Sequence, residues 1–105
     1  MKKISILIPA YNEEAVLAQL YERISRLADD TPLYKFEFCF VNDGSRDKTL
    51  EMIKHYAEKD SRVSYVNLVR NFGKEIAMAA GFDFVKGDAM VVIDADLQDP
   101  PELIP

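Results

Sequence analysis

Two rhythms of apolar residues alternate along this chain. Short, almost unbroken apolar runs occupy residues 4–8, 36–41, 63–69 and 89–93, and between them apolar positions recur at three- and four-residue steps. The runs predict strands, and the wider steps predict amphipathic helices with one buried face. In the first helix, predicted over 13–28, that face is Val16, Leu17, Leu20, Tyr21, Ile24 and Leu27. Asn12 is placed to cap it, and Glu13 and Glu14 suit the positive end of its dipole. A second helix is predicted over 47–59, capped by Ser45, with Leu50, Ile53, Tyr56 and Ala57 facing inward. A third, over 75–85, stops near Gly87. The third strand alternates Val63, Tyr65, Asn67 and Val69 against Ser64, Val66 and Leu68. "DDTPLYK", at 29–35, reads as a loop punctuated by Pro32.

Strands that alternate with helices imply right-handed βαβ units and a parallel sheet. Strands this uniformly apolar imply helices on both faces of it. The expected fold is therefore α/β, a Rossmann-like parallel sheet. In such sheets ligands bind beyond the carboxyl ends of the strands. The four runs end in Pro9-Ala10-Tyr11-Asn12-Glu13, in Asn42-Asp43-Gly44-Ser45, in Arg70-Asn71-Phe72-Gly73-Lys74 and in Asp94-Ala95-Asp96-Leu97-Gln98-Asp99. All four are polar, and a parallel sheet gathers them on one rim.

Composition narrows what that rim can hold. The 105 residues suit one small domain, and a formal charge of −5, from 13 basic and 18 acidic residues, argues against nucleic acid as a partner. A nucleotide remains open, because a local pair of cations or a metal can hold a diphosphate. The single cysteine, Cys39, sits inside an apolar run, which predicts a buried structural thiol and fits a reducing compartment. No stretch approaches the roughly 18 apolar residues of a membrane span. "MKKISILIPA" has the basic start of a signal peptide, but Pro9, Asn12 and Glu13 break its apolar run, so it reads as a strand.

The fourth cluster carries the most chemistry. In an extended chain Asp94, Asp96 and Gln98 share one side, and their oxygens suit a hard cation such as Mg²⁺ or Mn²⁺. Asp43 offers a carboxylate to a base N–H, and Arg70 and Lys74 offer charge to phosphates. Turn and capping roles would explain each cluster alone. His55 lies mid-helix, away from the rim. The glycine-rich phosphate loops G-x-G-x-x-G and G-x-x-x-x-G-K-[ST] are both absent. Phosphate must then be held by side chains and metal.

"ILIPAYNEE", "FVNDGSRDKT", "LVRNFGKE" and "VVIDADLQDPPELIP", in this order and spacing, resemble the family 2 glycosyltransferases of the GT-A fold. The resemblance is nearest to bacterial polyprenyl-phosphate glycosyltransferases, relatives of dolichol-phosphate mannose synthase. It implies an inverting, metal-dependent enzyme. Such an enzyme moves a sugar from a nucleotide-diphosphate sugar, UDP favoured over GDP, to a polyprenyl-phosphate or other cell-envelope acceptor. Carried across by position, it assigns Pro9, Tyr11, Glu13, Asp43, Arg70, Lys74 and Asp94 to the nucleotide sugar, and Asp96 and Gln98 to Mg²⁺ or Mn²⁺. Asn42 stands where many relatives carry Asp. Residues 1–105 correspond to the donor-binding half alone. The acceptor half, with the catalytic base and any membrane segment, is expected beyond Pro105, so the catalytic residue is left unassigned. This half by itself is expected to bind nucleotide weakly, to transfer little sugar and to be prone to self-association. The resemblance places the chain in the cytoplasm and the full-length protein at the cytoplasmic face of a membrane.

Two other readings compete for the same rim. A non-catalytic, flavodoxin-like phosphate- or metal-binding signalling module also sets acids and a lysine there, but it needs its acidic pocket after the first strand. A sugar-nucleotide pyrophosphorylase needs a glycine- and arginine-rich loop after the first strand, where this chain has Pro-Ala-Tyr-Asn.

Overall fold

The structure is a computed structural model and describes residues 2–71, 73, 79–80 and 88–93. Its order is β1 (Lys3–Ala10), α1 (Glu14–Asp29), β2 (Lys35–Asp43), α2 (Thr49–Lys59), β3 (Val63–Leu68) and β4 (Ala89–Val92). The strands form one sheet in the order β3-β2-β1-β4, and every pairing is parallel. The chain moves outward from β1 to β2 to β3, then returns across to β4 on the far side of β1. The junction of β1 and β4 is thus a topological switch point, where a crevice opens at the carboxyl ends of the strands. In the flavodoxin-like order β1 lies between β2 and β3. Here β2 lies between β3 and β1, and β1 lies between β2 and β4, so the signalling-module reading fails on topology.

Alternation along the strands builds two apolar layers. Ile4, Ile6 and Ile8 of β1 and Phe36, Phe38 and Phe40 of β2 face Leu17, Leu20 and Ile24 of α1 and Ile53 of α2. Leu7, Cys39 and Val41 point the other way and pack with Val66, Leu68 and Val92. Both α1 and α2 therefore lie on the first face. The helix expected over 75–85 lies outside the described residues, except for Ala79 and Ala80, which are helical. Phe38 and Phe40 are fully buried, and truncating such a phenylalanine to alanine costs about 3–5 kcal/mol.

Two expected caps are corrected. Asn12 does not cap α1. It has φ 51°, in the left-handed region that asparagine tolerates, and Glu13 takes the cap position. Ser45 does not cap α2, which starts at Thr49 after Lys48. In each case the side chain meets the neighbouring loop instead of its own helix.

Candidate active site

The carboxyl rim is built by loops that cap one another. The Asn12 N–H donates to Ser45 Oγ at 3.0 Å, and the Arg46 N–H donates to Asn12 Oδ1 at 2.7 Å. The Glu13 N–H donates to Thr49 Oγ1 at 2.8 Å, and the Glu14 N–H donates to Asp47 Oδ2 at 3.3 Å. The other oxygen of Asp47 accepts the Thr49 N–H at 2.9 Å. Asp47 and Thr49 therefore satisfy the first donors of α1 from a different loop, and Asp47 serves the start of α2 as well. Burial would raise the Asp47 pKa, but hydrogen bonds from the Thr49 hydroxyl and from the Thr49 and Glu14 N–H groups outweigh it and hold it low.

The loop after β3 rests on the loop after β2. Gly44 has φ 70°, and a Cβ there would lie 2.2 Å from the Arg70 carbonyl carbon and 2.3 Å from Asn71 N. Only glycine permits that approach. Gly73, with φ 98°, donates its N–H to Asp43 Oδ2 at 3.0 Å. Asp43 is buried at 4% exposure, so its carboxylate anchors the end of this loop.

Between these loops lies a cleft of about 350 Å³, lined by Tyr11, Asn42, Arg46, Asn67, Arg70 and their neighbours. Tyr11 is 41% exposed and offers its ring. Arg46 and Arg70 are exposed cations on the cleft. Asn42 is 1% exposed; its Nδ2 donates to Asn67 Oδ1 at 2.9 Å and its Oδ1 accepts the Ser45 N–H at 3.3 Å.

Pro9 is buried near the end of β1. The Ile93 N–H donates to the Leu7 carbonyl, and the paired register of β1 with β4 ends at Leu7 and Val92. Backbone groups two residues apart face the same neighbour. Position 9 therefore faces β4, and proline has no N–H with which to extend that ladder.

Of the residues predicted from sequence, Tyr11 and Arg70 meet on the cleft. Pro9 lies near the end of β1, Glu13 takes the cap position of α1, and Asp43 is buried and accepts the Gly73 N–H. Lys74, Asp94, Asp96 and Gln98 lie outside the described residues. Among the described residues no group of three or more His, Cys, Asp or Glu side chains is arranged to hold a metal. Sequence reasoning passed over Arg46 and Asn67 and discounted Asn42. An asparagine near the carboxyl end of an apolar strand was the available signal for Asn67.

The rim's loops cap one another, and its cleft carries two cations, an aromatic ring and amides. Residues 5–105 match the model for glycosyl transferase family 2. The chain belongs to that family. It is 49% identical over 100 residues to "Uncharacterized glycosyltransferase YkcC" of Bacillus subtilis, covering 95% of this chain and 31% of that one. It is 44% identical over 103 residues to the bactoprenol glucosyl transferase of Shigella phage SfV, covering 98% of this chain and 33% of the relative. The chain thus spans about a third of the length of the curated relatives it matches. Among solved structures, the mannosyltransferase PcManGT from Pyrobaculum calidifontis, in complex with GDP-Man and Mn²⁺, superposes with a TM-score of 0.77 at 22% identity, over 94% of this chain and 33% of that one. That likeness establishes the GT-A fold for this family 2 chain. No helix among its described residues is long and apolar enough to cross a membrane.

Proposed function

We propose that this chain is the donor-binding half of a glycosyltransferase that moves a sugar from a nucleotide-diphosphate sugar to a polyprenyl phosphate. The observation that carries the reading is the cleft with Tyr11, Arg46 and Arg70 at the carboxyl ends of β1, β2 and β3, in a family 2 chain. The bactoprenol glucosyl transferase relative supports the lipid-phosphate acceptor. The assigned donor residues are Pro9, Tyr11, Glu13, Asp43, Arg70, Lys74 and Asp94. UDP is the favoured nucleotide.

In this reading the anomeric carbon exchanges its bond to the donor diphosphate for one to an acceptor phosphate oxygen, with inversion. The nucleoside diphosphate leaves with the bonding electrons. Arg46 and Arg70 hold the charged part of the donor, and the Tyr11 ring supports its base. Carboxylate and amide oxygens are suitable donors for Mg²⁺ or Mn²⁺, and Asp96 with Gln98 would hold the ion. When bound, the ion offsets charge that builds on the leaving diphosphate.

The test is calorimetric titration with UDP and with GDP, each in Mn²⁺ and in EDTA, on the wild type and on Asp96→Asn. Circular dichroism checks that each protein is folded. Binding of one nucleotide that needs the metal and is lost in Asp96→Asn is expected. Equal binding in EDTA, or by Asp96→Asn, would overturn the metal assignment. A folded wild type that binds neither nucleotide would overturn the donor-site reading.

A further inference from the structure

Asn12 stands between Tyr11 and Glu13, two residues of the proposed donor site, yet it is not among the residues that line the cleft. It is exposed to solvent, so burial does not account for its backbone. A φ of 51° is uncommon outside glycine, and asparagine is one of the few residues that tolerate it. In that conformation both its main chain and its side chain are bonded to the next loop. Its N–H donates to Ser45 Oγ at 3.0 Å, and its Oδ1 accepts the Arg46 N–H at 2.7 Å. The Glu13 N–H then donates to Thr49 Oγ1 at 2.8 Å. Residues 12 and 13 are thereby clasped to residues 45, 46 and 49, more than thirty positions away.

The two sides of this clasp carry two different ligand contacts. Tyr11, directly before Asn12, offers a ring, and Arg46, held through its own backbone N–H, offers a cation. Both are exposed and line the same cleft. Strand pairing does not set their spacing, because the register of β1 with β2 ends at Ala10 and Asn42. Beyond it the two side chains depend on contacts between the loops. A ligand that touches both binds best when their separation is already fixed. A pair that wanders is correctly spaced only part of the time, and apparent affinity falls by that fraction.

We propose that Asn12 is a positioning residue: by joining the loop after β1 to the Arg46 backbone, it fixes the spacing of Tyr11 and Arg46 for a nucleotide that touches both. The inference rests on the donor-site reading above, which gives the ring and the cation to one ligand. It does not depend on which base the site prefers.

The test is an NMR study of the ¹⁵N-labelled 105-residue chain, with amide dispersion reporting folding. It measures exchange of the Arg46 amide with water, and affinity for UDP and for GDP in Mg²⁺. Asn12→Gly keeps the positive φ and removes the acceptor, whereas Asn12→Asp keeps both. Asn12→Gly should speed Arg46 exchange, and Asn12→Asp should restore it. Asn12→Gly should also weaken the nucleotide about three- to tenfold, the worth of one hydrogen bond. Made in Arg46→Ala or in Tyr11→Leu, the same substitution should weaken it about twofold or less, because a single contact has no spacing to keep. Ser45→Ala breaks the other bond of the clasp without touching Asn12. It should show the same dependence on background, which keeps the test decisive should Asn12→Gly fail to fold. Unchanged Arg46 exchange in folded Asn12→Gly would overturn the inference and leave the donor-site reading standing. So would unchanged affinity, or an equal loss in all three backgrounds, which is what a purely structural role gives. If the folded wild type binds neither nucleotide, the reading fails and takes the inference with it.

Discussion

At the scale of single residues, the closest tolerance on the rim is at Gly44. It combines φ 70° with backbone atoms of Arg70 and Asn71 where a Cβ would go. Gly73 has a positive φ of 98°, and no heavy atom of the described residues lies within 4 Å of where its Cβ would go. The two glycines therefore separate strain from collision. Gly73→Ala should cost about 1–2 kcal/mol from strain alone. Gly44→Ala should cost more and also displace the 70–71 backbone from the cleft. Urea denaturation compares the stabilities, and an equal loss in both variants would contradict the packing argument. Cys39 gives a second expectation. It is buried, and burial pushes its pKa up to about 11. The thiol should resist a disulfide reagent at pH 8 until the protein is unfolded, which a colorimetric thiol assay measures.

At the scale of elements, the helices begin where neighbouring loops allow. The sequence rule that Asn or Ser just before an apolar periodicity caps the helix placed Asn12 and Ser45 on their own helices. The physical groups were right and their partners were not. Asn12 and Ser45 bond to each other's loops, and the capping of α1 falls to Asp47 and Thr49. Capping across loops is invisible to local spacing because it joins residues more than thirty positions apart. Thr49 is fully buried, so Thr49→Val keeps its shape and removes the acceptor for the Glu13 N–H. The expected loss is about 1–2 kcal/mol. Faster hydrogen exchange at the start of α1 than at its end should accompany it. Unchanged exchange at Glu13 would count against the cap.

At the scale of the whole molecule, one network ties the far side of the two helices to β3. Tyr21 of α1 stacks on Tyr56 of α2 with ring centroids 4.0 Å apart, and its hydroxyl donates to Asp60 Oδ2 at 2.8 Å. Asp60 in turn pairs with Arg62 at 2.9 Å, and Arg62 reaches Asp29 at 3.3 Å. The Arg62 hydrogen bonds draw the Asp60 pKa down to about 2. A carboxylate with a lowered folded pKa stabilises the fold above its unfolded pKa, and that contribution is lost as pH falls through the folded value. The wild type should therefore lose stability between about pH 4 and pH 2 more steeply than Asp60→Asn does. Thermal melts across that window measure it, and parallel curves would refute the assignment.

By itself the sequence determined the alternation of strands and helices, the inward Leu17, Leu20, Tyr21 and Ile24 of α1 and Ile53, Tyr56 and Ala57 of α2, and the gathering on one rim of the polar clusters after the first three strands, whereas the predicted inward Leu50 lines the cleft. Each of these depends on periodicity or on a strand's end, which are local properties. Strand boundaries at Lys3–Ala10 and Lys35–Asp43 run past the predicted 4–8 and 36–41, because sheet pairing holds polar residues that propensity alone leaves out. Tertiary structure alone decided the order β3-β2-β1-β4, and with it the switch point at β1 and β4. It also decided that Asn42 joins the cleft while Asp43 accepts the Gly73 N–H. Adjacent strand residues point to opposite faces, and which face meets a cleft depends on what packs there. Only the fold, by laying the loop after β1 against the loop after β2, gives Asn12 the Ser45 and Arg46 partners that local spacing does not supply.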